Sequence, residues 1–583
     1  MMTKKRELSP RPDFFREEWI DLNGRWGFAF DDEKRGKKEH WQEGHTYTST
    51  IQVPFCYQCE ASGIGDTHKH FYIWYERKVV ITESMKGKRV WLHLGAVDYE
   101  STVYINGRTV GSHRGGFASH SYEITEFLDW EAREFTLTIY CEDDDAIDKP
   151  RGKQHWEEKT DRCWYTATSG IWQTVWLELT PGYRVEKMKI IPDIDTKKVE
   201  ATLLFSEIPS DGCLKWRLLY QGEEKKRGEL SLRNQEEKLI FSVENEDPID
   251  NKIHLWEPEH PELYDLEIAV YEGEHLQDSV FTYFGMRKIE VKAGHIYLNH
   301  YPLYQKLVLD QGYWTTSLMT PPSAEALQKD LQLVKDMGFN GVRKHQKIED
   351  PRFLYYADKM GILVWEEMPS MYAFTDRGMK RFAQEYMQIL ERDCNHPSII
   401  SWIPFNESWG IRDVLFDRQQ QQFAEAMYLL TKAFDNSRLV GSNDGWESVR
   451  TDFVGIHDYV DNAEKLLDTY RDKEKLMAGT AVGKMICSEG FVYGGEPVLI
   501  SEYGGIAIED GKEESWGYHD KVKDASTLSC KIQSLTEAVE SLPYVEGYCY
   551  TQLTDVEQET NGLLYADRTP KVELQKIREI FER

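Results

Sequence analysis

The 583-residue chain has no uninterrupted apolar run near the roughly 18–20 residues that a membrane span needs, so no membrane partner is expected. Its N-terminus, MMTKKRELSPRPDFFREEW, carries charge but no apolar stretch. That argues against a secretory leader and points to a cytoplasmic setting. Cysteine is scarce and unpatterned: nine residues, with one CxxC at Cys56 and Cys59 and no second pair. An odd, irregular set excludes a disulfide framework and lends little to a zinc site, so neither metal nor cofactor is expected. Positive charge is short as well. Lys+Arg is 71 against Asp+Glu 100, a net charge of −29 that would repel nucleic acid and anionic lipid. No GxGxxG follows the first strand of the α/β half, which disfavours a dinucleotide fold.

Aromatic residues are plentiful, with 18 Trp and 32 Tyr. Flat rings stack on the apolar faces of sugars and of bases, and the acidic charge disfavours bases. The first 181 residues read as short strands such as WGFAF, FYIWYERKVVI, KRVWLHLGAV and EFTLTIYC, with a hairpin signal at Asn106-Gly107. They predict a jelly-roll domain over 1–181. Residues 182–292 carry about seven more strands, enough for an immunoglobulin-like sandwich. From 293 to 583 strands and helices alternate. Ser323 and Gly338 bracket one helix, and Asp350, Pro351 and Gly361 bracket another. Eight such units predict a (β/α)8 TIM barrel.

Barrel chemistry sits where strands end. The fourth strand, IISWIPF, runs into Asn406-Glu407-Ser408-Trp409, and the seventh, PVLIS, into Glu502-Tyr503-Gly504. Two carboxylates at one rim are what glycosidic cleavage requires: one protonates the leaving oxygen, and the other meets the charge growing at the anomeric carbon. Asp310 and Gln311 follow the first strand, Glu367 ends the third, Asp444 and Trp446 follow the fifth, and His457 lies in the sixth. Such groups suit a hydroxyl-rich substrate.

The chain resembles glycoside hydrolase family 2, the group of β-galactosidases, β-glucuronidases and β-mannosidases. The likeness runs over nearly the whole length. It rests on GRWGF, YERKVVI, SGIWQTVWLE, LWEPEHPELYDL, FGMRKIEV, GFNGVRKHQKIEDPRFLYYADKMGILVWEEMP, DCNHPSIISWIPFNESWG and LISEYGG. The resemblance implies a retaining, two-step displacement in which Glu407 is the general acid/base and Glu502 the nucleophile. It implies that Asn406 bonds the sugar 2-hydroxyl, that Tyr459 bonds the nucleophile, and that Arg343 lies beneath it with His345 just after. In this family the loop holding PRGKQHW can reach over the barrel mouth, which brings in Gln154 and Trp156.

Departures bear on the substrate. Many relatives have Trp at the position of Tyr550. The Asn-x-Lys pair that grips a uronic acid carboxylate in β-glucuronidases is here Asn561-Gly562-Leu563, so a uronic acid looks disfavoured. After the third strand EEMPSMY lacks the His of the large galactosidases' magnesium site, and Lys344 adds a cation with no evident partner. The expectation is an exo-acting glycosidase on a glycoside or oligosaccharide, with β-galactosidase first. β-Galactofuranosidase, α-L-arabinofuranosidase and β-mannosidase are alternatives, as is a sugar-binding protein without catalysis. A homo-oligomer is a further possible partner state.

Overall fold

The computed structural model describes residues 2–207, 210–244, 252–509, 511 and 514–582. Period-two patterning builds the first two domains. In the strand Lys198–Phe205 every second side chain is buried, as a strand with one face on a core requires. The first domain has a six-stranded and a four-stranded antiparallel sheet around Trp26, Phe28, Tyr75, Leu92, Leu137 and Ile139. Asn106 and Gly107, at φ 50° and 78°, join Ile105 to Arg108 in the expected hairpin. Positive φ at both positions is what a two-residue turn between twisted strands needs. Cys56 and Cys59 are buried there as free thiols. The middle domain sets a five-stranded and a three-stranded sheet around Val199, Leu203, Leu214, Trp216 and Ile268.

One boundary differs from expectation. Phe14–Phe15 pairs with Phe281 and Thr282 at the edge of the middle sheet. Arg16 joins Asp278 and Glu178 in a buried ion cluster. The start of the chain is therefore built onto the middle domain, outside the jelly roll. A two-residue strand carries too little pattern to announce this.

Eight parallel strands follow: β1 (Gln305–Asp310), β2 (Gly341–Lys344), β3 (Leu363–Glu367), β4 (Ile399–Ile403), β5 (Leu439–Val440), β6 (Val454–His457), β7 (Val498–Gly504) and β8 (Val545–Thr551). They are hydrogen-bonded in the order β5-β4-β3-β2-β1-β8-β7-β6. At the seam between β5 and β6 the Val440 N–H donates to the Asp452 carboxylate at 2.9 Å, and the Val440 carbonyl accepts from the Asp452 N–H at 3.0 Å. β2, β3 and β4 are buried along their whole length, because inward side chains fill the barrel and outward ones meet helices. The helix Ala324–Asp336 opens on Ser323, and Pro351–Met360 runs from the Asp350 cap to Gly361 at φ 70°. No helix among the described residues is long and apolar enough to cross a membrane.

The first domain is clamped to the barrel near residue 152. The N–H groups of Arg151 and Gly152 donate to the Ser370 carbonyl at 2.9 and 3.2 Å, and the Tyr372 hydroxyl donates to the Gly152 carbonyl at 2.6 Å. Gly152 is required: its φ is 60°, and a Cβ there would stand 2.1 Å from the Gln346 carbonyl oxygen.

Candidate active site

Side chains from at or just past the ends of β3, β4, β5, β6 and β7 converge on one guanidinium, that of Arg343 on β2. Arg343 is fully buried. Its Nε donates to Glu367 at 2.8 Å, its Nη2 to Asn406 Oδ1 at 2.6 Å and its Nη1 to Glu502 Oε1 at 2.8 Å. Asp444 lies 2.8 Å from the same Nη1. A rigid planar fork of donors suits several acceptors at once. Three buried carboxylates need more than one cation, and His457 supplies the second. Burial disfavours the imidazolium, but Glu502 and Asp444 outweigh it and raise the His457 pKa to about 10. Charged at neutral pH, it donates through Nδ1 to Glu407 at 2.8 Å and through Nε2 to Asp444 at 3.0 Å.

Glu502 accepts from Arg343 on one oxygen and from the Tyr459 hydroxyl on the other. Burial pushes its carboxyl up, yet the charges of His457 and Arg343 hold it below the ordinary carboxylate range. Glu407 stands opposite, just past β4. It and Ser408 have φ of 52° and 58°, a backbone that costs about 1–3 kcal/mol per residue and persists only where the surroundings enforce it. Here the Glu407 N–H donates to the Asp444 carbonyl at 2.8 Å and the Ser408 N–H to the Asn443 side chain at 3.0 Å. One oxygen of Glu407, one of Glu502 and a ring nitrogen of His457 all lie within 4.8 Å of one another. By distance alone these three could cup a metal ion, which would have to displace the imidazolium proton to bind. The Glu502 side chain is 4% exposed and that of Glu407 19%, so one carboxylate is sealed in and its neighbour faces open space.

Other expected residues join this cluster. His345 lies 3.1 Å from Glu367 and so belongs to the Arg343 network. Trp446 stands edge-on to His457 at 5.7 Å. Its indole Nε1, and the Asn406 Nδ2, are buried without a partner among the described residues. Trp156 packs on Tyr372 at 4.7 Å and Trp164 at 5.7 Å, at the rim.

Four other expected residues make their contacts within the protein. Asp310 is bound to Lys344 at 2.8 Å, and Lys344 also pairs with Glu349 at 2.7 Å, so neither is free for a sugar. The Gln154 side chain turns into the first domain, donating to Asp98 at 2.8 Å and accepting from the Thr168 N–H at 2.7 Å. Tyr550 is buried against Tyr503 and Phe581, at 5.4 and 5.6 Å, and makes no hydrogen bond among the described residues. Gln311 donates to Gln552 at 2.9 Å. Gln552 in turn donates to Asn561 and Asn561 to Glu559, which leaves only the Gln311 Oε1 buried and unpartnered.

The sequence reading missed a wall of rings and a lysine. Trp409 lies 5.8 Å from Trp164 and 5.5 Å from Tyr372, while Tyr518 stacks on Tyr459 at 3.5 Å. The Lys153 ammonium sits 4.9 Å from the Trp409 ring centre. Trp409, two places after Glu407, was within reach of a strand-end reading. Trp164 and Tyr518 lie in loops whose path no periodicity reveals.

The geometry is matched by kinship. The sequence fits the glycosyl hydrolases family 2 sugar binding domain over residues 20–181, a further family 2 domain over 183–287 and the family 2 TIM barrel domain over 289–583. The chain belongs to glycoside hydrolase family 2. A family 2 relative, the beta-galactosidase of Thermoanaerobacter pseudethanolicus, is 25% identical over 414 residues, covering 69% of this chain and 51% of its own. The chain thus spans about half the length of that relative. The beta-glucuronidase of Streptococcus agalactiae is 23% identical over 420 residues, 66% of each chain. Among solved structures, the Ruminococcus gnavus beta-glucuronidase superposes with a TM-score of 0.79 at 18% identity over 99% of both chains, a likeness of fold.

Proposed function

We propose that this protein is a retaining, exo-acting β-glycosidase in which Glu502 is the nucleophile and Glu407 the general acid and then the base. The observation that carries the reading is that one oxygen of Glu407 and one oxygen of Glu502 lie within 4.8 Å of each other across the same rim. Direct attack on the anomeric carbon needs carboxyl groups about 5–5.5 Å apart, whereas placing a water between them needs about 6.5–9.5 Å. Glu502, held ionised by Arg343 and His457, attacks the anomeric carbon as Glu407 gives its proton to the departing oxygen. The glycosyl ester neutralises Glu502. Glu407 then takes a proton from water, which displaces the ester and releases the sugar with its configuration kept. With its Oδ1 fixed by Arg343, the unpartnered Asn406 Nδ2 would donate to a sugar hydroxyl in this reading.

β-Galactosides are the first substrates of this reading, and the names of relatives divide between beta-galactosidase and beta-glucuronidase. Galactofuranosides, arabinofuranosides and mannosides complete the panel. A protein that only binds sugar would have little use for a cationic pair aimed at Glu502. The test is hydrolysis of nitrophenyl glycosides by the wild type, Glu502→Gln and Glu407→Ala. Glu502→Gln is expected to lose activity on every substrate. Glu407→Ala is expected to lose about 10²–10⁴-fold on poor leaving groups and to keep the first step on dinitrophenyl glycosides. Equal loss on both leaving groups would overturn the roles.

A further inference from the structure

Lys153 is a buried ammonium that no carboxylate holds among the described residues. It is 3% exposed, and among the described residues it makes neither an ion pair nor a side-chain hydrogen bond to oxygen. Its close neighbours are the Trp409 ring, 4.9 Å away, and the Cys163 thiol beside it. Most other buried lysines near the barrel mouth are paired: Lys149 with Asp143, Lys344 with Asp310 and Glu349, and Lys347 with Glu349. A buried charge without a partner is costly, and a structure that keeps one at a substrate opening keeps it for a group that arrives.

The position is built. The backbone carbonyl of Lys153 accepts from the Tyr165 N–H at 2.8 Å, and the N–H of His155 donates to the Tyr165 carbonyl at 2.9 Å. Within this short ladder neighbouring side chains point to opposite faces. Gln154 goes into the first domain, and Lys153 goes toward Trp409. Gly152, immediately before, is locked against the barrel. Glu559, the carboxylate most able to capture the ammonium, is already occupied. One oxygen accepts from the Tyr165 hydroxyl at 2.5 Å and the other from Asn561 at 3.0 Å. Burial alone would strip the lysine's proton. Cys163, Glu559, Glu502 and Glu407 more than offset that and hold its pKa above the ordinary value.

We propose that Lys153 is the seat for an anionic substituent, a carboxylate or a sulfate, on the sugar bound at the barrel mouth. This rests on the glycosidase reading above and narrows it from galactosides to acidic glycosides. The uronic acid disfavoured by the sequence comes back by another route. The place of the missing cation holds Leu563, 1% exposed, and a lysine from the first domain stands on a different wall.

The test measures kcat/KM on nitrophenyl β-glucuronide, β-galacturonide and 6-sulfo-β-galactoside beside the neutral β-galactoside and β-glucoside. The enzymes are wild type, Lys153→Met and Lys153→Arg, with thermal melting to check the fold of each. Wild type is expected to prefer at least one acidic substrate, and which one tells carboxylate from sulfate. Lys153→Met is expected to lower the acidic-to-neutral ratio at least 100-fold, chiefly through KM, and Lys153→Arg to restore much of it. If wild type cleaves neutral glycosides and no acidic one, or if Lys153→Met lowers both classes equally, the lysine merely balances the neighbouring carboxylates and the proposal fails. If wild type cleaves no glycoside at all, the glycosidase reading fails instead.

Discussion

Below the two carboxylates nearly every polar atom has a partner, and above them several have none. The floor is a closed network: Arg343, His457, Glu367, Asp444 and His345 bond one another and Glu502. The rim holds the Asn406 Nδ2 and the Trp446 Nε1, buried and unpartnered among the described residues, and Lys153, buried without a carboxylate. The difference separates two tasks. A nucleophile needs a fixed electrostatic environment, so its surroundings are satisfied before substrate comes. A binding surface needs donors still to be used. Unsatisfied groups at the rim cost stability, and the floor is where rigidity resides.

Arg343→Met would break the floor most severely. Carboxylates left buried around a lost cation should cost about 3–5 kcal/mol of stability, read by chemical denaturation. Since the guanidinium holds the Glu502 carboxyl down, its loss should also move the acid limb of the pH–activity profile to higher pH. Unchanged stability would mean that the floor is no network. Asn406→Ala tests the one residue that spans both regions. With its donor gone, kcat should fall about 10²–10³-fold, with a smaller effect on folding than at Arg343. A loss in stability alone would assign Asn406 wholly to the floor.

His457→Gln sharpens the comparison through pH. Its folded pKa of about 10 lies above the ordinary 6.5. The stability this supplies is complete below about 6.5 and is lost as pH rises through about 10. Wild-type Tm should therefore fall over that window, and the variant's curve should be flatter there. The smallest effect is expected for Tyr550→Phe. Its hydroxyl is buried without a partner, so kcat/KM should stay within about twofold, as for substitutions that remove no interaction. A large drop would put Tyr550 back at the site.

The floor was legible in the sequence and the rim was not. Arg343, Asn406, Glu407, His457 and Glu502 sit at or just beyond strand ends, and in a barrel local patterning and position on the rim are the same information. Asp310 also ends a strand, but Lys344 one strand over pairs with it, and pairing across strands is invisible along one. Gln154 turns into the first domain and its neighbour Lys153 toward Trp409, because alternation in a ladder formed with distant Tyr165 sends the two to opposite faces. Trp164 and Tyr518 arrive from loops that only packing between distant segments can place. The short strand Phe14–Phe15 escaped notice for the same reason.

Gly152 makes the two domains a single instrument. With a carbonyl oxygen 2.1 Å from where its first side-chain atom would be, even one methyl group must prise the jelly roll away from the barrel. The lysine next door would be carried off with it. On the proposed role of Lys153, a substitution that touches no sugar and no carboxylate would thus blur which glycoside is chosen while the two carboxylates stayed in place, and discrimination would hang on how tightly two domains are pressed together.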